Sequence, residues 1–78
     1  MARVLDAVTG LSRGEIEWLI DEWVVGEDAE RDRALLRRRL IDGIHFEPLG
    51  EEFLLSTQRT KEIFYKRMSS LVKHLKYK

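Results

Sequence analysis

Residues 44–65, IHFEPLGEEFLLSTQRTKEIFY, restrict the fold more than any other stretch of this chain. Pro48 suits the first turn of a helix, where a missing N–H costs nothing. Leu49 and Phe53 lie four apart and point inward together. Gly50 falls where this helix must pass closest to the next, so a larger side chain would hold the two apart. Leu54-Leu55 forms a turn, and Ser56 is placed to cap the next helix. The reading is a short helix (Phe46 to Phe53), a tight turn and a longer helix (Thr57 to Leu75).

The rest of the chain can hold that pair at a fixed angle. Seventy-eight residues make one small domain, 1–78. The chain is 44% hydrophobic and 36% charged, which suits a strongly helical domain better than a disordered one. Ser12 opens the first helix, 12–25, with Glu15 three residues on in capping-box spacing. Ile16, Leu19, Ile20, Trp23 and Val24 follow on one apolar face, and Gly26 is the expected stop. Trp18 and Val25 lie on a second stripe, where Trp18 reads either as a cover over the edge of the core or as a contact for a partner. The second helix, 27–42, starts with Glu27, Asp28 and Glu30 and ends with Arg37, Arg38 and Arg39, matching the helix dipole at both ends. Leu35, Leu36, Leu40 and Ile41 supply its buried side. Glu30, Arg33 and Arg37 have spacings for surface ion pairs. Gly43 is free to take a positive φ beyond its end. On the last helix the inner stripe is Thr60, Ile63, Phe64, Met68 (or Arg67), Leu71 and Leu75. The outer stripe is Gln58, Lys61, Glu62 and Tyr65. Met1 to Leu11 carries only a weak pattern, a short helix or a frayed arm. Period-two alternation is never sustained, so the expected class is all-α.

Charge is divided along the chain although its sum is zero. Residues 1–55 hold 7 Arg/Lys against 13 Asp/Glu, and residues 56–78 hold 7 against 1, giving −6 and +6. Such a molecule orients in the field of a polyanion, unless the two halves simply pair with each other. There is no cysteine, so disulfides and zinc–thiolate sites are excluded. No apolar segment approaches the roughly 18–20 residues of a membrane span, and MARVLDAVTG lacks a long apolar run. A cytoplasmic setting is expected.

Enzyme chemistry finds no foothold. Glu51 and Glu52 are adjacent and diverge by about 100° on a helix, a poor geometry for an acid/base pair. His45 and His74 stand apart, one at a helix start and one in the basic tail. No Gly-rich phosphate loop, nucleophile elbow or HExxH motif occurs. No catalytic residue, metal or cofactor is expected.

Residues 31–71 resemble the C-terminal DNA-reading region of bacterial sigma factors, and the chain is also similar to small sigma-like regulators encoded in phages and prophages. The resemblance rests on RDRALLRRRLIDGI, then FEPLGEEF, then LLSTQRTKEIFYKRMSSL, and covers 41 of the 78 residues. It implies a three- or four-helix bundle with a helix-turn-helix whose second helix reads a promoter element in the major groove. By position, Ser56, Thr57, Gln58, Lys61, Glu62 and Tyr65 would face the groove, while Leu49, Gly50, Phe53, Leu55, Thr60 and Ile63 would be structural. The chain departs from the family at Leu54, where glycine is usual, at Thr60, where valine or isoleucine is usual, and at Arg67, where a small residue is common. No segment resembles the sigma domain that melts the promoter and binds core polymerase most tightly, so the chain alone is not expected to be a complete sigma factor of ordinary type.

The residue types fit that role. Gln58 can pair bidentately with adenine, Arg59 or Lys61 can donate to guanine O6 and N7, and Glu62 can accept from cytosine N4. Ser56 suits a phosphate, and Lys66, Arg67 and Lys73 add sequence-blind attraction. The arginine run that includes Arg38 reads either as a phosphate contact or as a solvated helix end. Double-stranded DNA is the expected partner. A lone module of this size should bind weakly, so dimerisation or tethering to RNA polymerase is expected as well. The competing reading is a protein-interaction module, with Trp18, Trp23 and the acidic first helix carrying the contact to polymerase or to a second copy.

Overall fold

The computed structural model describes residues 10–76, with side-chain surroundings through residue 74. Among these residues there is no strand. Four helices follow one another: α1 Arg13–Trp23, α2 Ala29–Leu40, α3 Phe46–Glu52 and α4 Thr57–Lys76. The weak pattern at residues 1–9 and the inner-stripe position Leu75 lie outside the described surroundings.

Helix α1 begins with the expected capping box: the Glu15 N–H donates to Ser12 Oγ at 3.2 Å and the Ser12 N–H donates to Glu15 Oε1 at 2.9 Å. It stops at Trp23, short of the expected Val25, because Val24 turns extended to bury its side chain. The chain then reverses through Gly26 at φ +89° and Asp28 at φ +61°. Helix α2 therefore starts at Ala29 rather than Glu27, and the acids in its first turn are Glu30 and Asp32. The carbonyls exposed by this reversal are taken up by arginines from elsewhere. Arg33 Nε donates to Val24 O at 2.7 Å, and Arg67 donates to Val25 O and Glu27 O at 2.9 and 3.0 Å. The ion pairing read from spacing at Glu30, Arg33 and Arg37 gives way to longer-range partners, the Val24 carbonyl for Arg33 and Asp21 of α1 for Arg37.

Beyond α2, Gly43 at φ +71° lets the Ile44 N–H reach back to Arg38 O at 3.1 Å, closing the helix end. Helix α3 is short, and its approach to α4 is set by Gly50. A Cβ on Gly50 would stand 2.7 Å from Leu55 O and 2.9 Å from Thr60 Oγ1, too close for any side chain. The Leu55 N–H donates to Gly50 O at 2.8 Å across the elbow. Leu54, at the apex, has φ +58°. A leucine held there costs about 1–2 kcal/mol relative to ordinary helical or extended backbone.

The core is one cluster drawn from every helix: Leu19, Ile20 and Val24 at α1, Leu35 and Leu36 on α2, Leu49 on α3, and Ile63, Phe64, Met68 and Leu71 on α4. Helix α4 packs against all three others. Met68, not Arg67, occupies the ambiguous inner position. Thr60 is fully buried, and its hydroxyl is satisfied by donating to Ser56 O at 2.8 Å. A polar residue thereby fills a core position without an orphaned group. Trp23, on the rim of the core, stacks on His74 with ring centroids 3.5 Å apart.

Candidate functional site

The residues expected to read DNA are brought together on the outer side of α4, starting at the elbow. Gln58, Lys61, Glu62, Lys66 and Lys73 are all exposed. No described residue pairs with the side chains of Gln58, Lys66 or Lys73. Arg59 makes only a 3.5 Å contact with Glu62 one turn on, with more than half of each side chain exposed. Such a pair is worth a few tenths of a kcal/mol at most and yields easily to a competing ligand. Ser56 caps α4 by accepting the Arg59 N–H at 3.0 Å, and its own hydroxyl proton remains available. Thr57 is partly buried at the first position of the helix.

Tyr65 sits lower on the same ridge. It is partly buried between Phe64 and Phe46, with ring centroids at 5.2 and 5.8 Å. Phe46 also lies under the Arg39 guanidinium, 4.7 Å from ring centroid, and 5.9 Å from Lys61 Nζ. This phenylalanine at the start of α3 thus anchors one flank of the ridge, a role the sequence reading did not assign. Its spacing within α3 alone gives no sign of it, because all four of its neighbours come from other elements.

Two residues expected to meet phosphate are engaged within the molecule. Arg67 turns inward: its Nε donates to Asp32 Oδ2 at 2.7 Å, and the rest of its guanidinium holds the α1–α2 connection. The two side chains are 17% and 6% exposed, so this is a buried ion pair joining α4 to α2. Arg31 reaches the other oxygen of Asp32 at 3.1 Å. Arg38 grips both carboxylate oxygens of Glu52 at 2.9–3.1 Å and also donates to Asp42 at 2.9 Å, tying α2 to α3. These hydrogen bonds, Glu52 first and Asp42 second, raise its pKa further above the ordinary arginine value. Arg37 pairs with Asp21 of α1, and Arg39 donates to Ile44 O at 3.3 Å while its Nε stays buried without a partner. The arginine run of α2 is therefore spent on the fold.

On the far flank of α4 a polar cleft of about 250 Å³ separates it from the start of α2, with Arg59 and Lys66 facing Arg31, Glu27 and Asp28. Among the described residues no three His, Asp or Glu side chains cluster as a metal ion would require, and no helix is long and apolar enough to cross a membrane. No family model, no curated protein and no solved structure matches the chain.

Proposed function

We propose that this protein binds double-stranded DNA in a sequence-specific manner, laying α4 into the major groove as the second helix of a helix-turn-helix, in the way of a sigma-like transcription regulator. The observation that carries the reading is the outer ridge of α4. Gln58, Lys66 and Lys73 have no partner among the described residues, and Lys61 and Glu62 stand exposed beside them. A ridge with Gln, Lys and Glu in succession offers the donors and acceptors that base edges require, and its lysines supply the backbone attraction. The sharp elbow at Leu54 and the close approach at Gly50 support it, since they hold α3 across the start of α4.

The base-reading set is Thr57, Gln58, Arg59, Lys61, Glu62 and Tyr65, with Ser56, Lys66 and Lys73 on phosphate. Arg38 and Arg67 leave that set, since their charges are already matched. Selection from a random duplex pool tests the reading. The expected result is an enriched motif, bound with strong salt dependence, and lost in the double variant Gln58→Ala/Lys61→Ala while its thermal midpoint stays nearly unchanged. Absence of any enriched motif, together with a gel-filtration shift on adding polymerase, would place the function in protein contact instead.

A further inference from the structure

Leu54 combines two features that no other described hydrophobic residue shares. It is 93% exposed, and it is a non-glycine residue in the left-handed region, at φ +58°. Asp28, the other non-glycine residue with positive φ, is of a type that tolerates it and is polar in solvent. Leucine has neither advantage. Burial gives it nothing, and glycine would form the same elbow without steric cost. A side chain kept under both penalties points to use outside the molecule.

Its position indicates where. Leu54 precedes Thr57 by three residues, so the two Cα atoms are at most about 11 Å apart. That is about three base-pair steps along a duplex. If α4 enters the major groove by its first turns, the elbow arrives with it. The groove surface presents phosphates, hydrogen-bonding base edges and one apolar group, the thymine C5-methyl. We propose that Leu54 is a specificity-determining residue that packs on a thymine methyl at the edge of the site read by α4. The inference rests on the proposed DNA-binding function.

The test uses the full chain and duplexes enriched from a random pool, each thymine replaced in turn by uracil, which lacks only the methyl. One replacement should weaken wild-type binding about fourfold, the effect of one buried methyl. Leu54→Gly should bind the thymine and uracil duplexes equally while unfolding at a higher temperature, which separates lost contact from lost folding. Leu54→Asn, which tolerates the same backbone, should also lose the distinction. If wild type and Leu54→Gly respond alike to every replacement, or the enriched site contains no thymine, the Leu54 contact is overturned and the DNA reading stands. If no duplex is enriched, the DNA reading itself falls and takes the contact with it.

Discussion

Two groups of cations in this molecule carry the same charge and meet different fates. Arg37, Arg38 and Arg39 at the end of α2, with Arg67 on α4, each find a carboxylate or a carbonyl within the chain. Lys66 and Lys73, on the outer ridge of α4, find none among the described residues. The difference lies in geometry more than in charge. A guanidinium can donate in several directions from one plane, and Arg67 uses this to bridge Asp32 and two loop carbonyls at once. An ammonium on a flexible stem gains little from such a site and stays hydrated. Clustered positive charge in a sequence is therefore a poor guide to charge that a ligand can use. The guide is which cations the fold leaves unmatched.

Substitutions can break this contrast, and the largest effect should come from the inward group. Arg67→Met removes one partner from the buried Asp32 and should cost on the order of 3 kcal/mol in chemical denaturation. Adding Asp32→Leu should recover much of that loss, since two apolar groups replace the pair without leaving a stranded charge. Gly50→Leu attacks the elbow that presents the outward group. With backbone oxygen 2.7 Å from its Cβ, it should lose about 1–3 kcal/mol and shift the thermal midpoint accordingly. Leu54→Gly should act in the opposite direction: relief of strain, less the added freedom of the unfolded chain, leaves a gain of about 0.5–1 kcal/mol. Arg38→Gln should have a smaller effect on stability, visible chiefly as weaker dependence on added salt, because its partners Glu52 and Asp42 are half-exposed.

Much of this architecture is readable from local pattern. The capping box at Ser12, the glycines at 43 and 50, the elbow at Leu54 and the inner stripe of α4 each depend on residues close to one another in sequence, where spacing decides geometry. Satisfaction of the buried Thr60 hydroxyl is likewise a local matter, since it donates to the carbonyl one turn back. What escaped the pattern depends on distant partners. Helix α1 ends at Trp23 because Val24 buries its side chain and arginines nine and 42 residues away hold the carbonyls of the reversal. Arg67 and Asp32 are 35 residues apart, and Arg38 and Glu52 are 14 apart. No periodicity links such pairs. The two expected phosphate contacts at Arg38 and Arg67 failed to stay free for that reason, whereas Lys66 and Lys73 lie on a face that the core stripe leaves outside.

On the proposed reading, the unmatched lysines, and not the matched arginines, meet the nucleic-acid backbone. The most direct test is the slope of binding affinity against salt concentration for one selected duplex. Each phosphate contact contributes about −0.9 to that logarithmic slope. Lys66→Gln/Lys73→Gln should flatten it by about 2, and Arg37→Gln/Arg38→Gln should leave it unchanged. Equal flattening by the two double variants, or a wild-type slope near zero, would contradict the account.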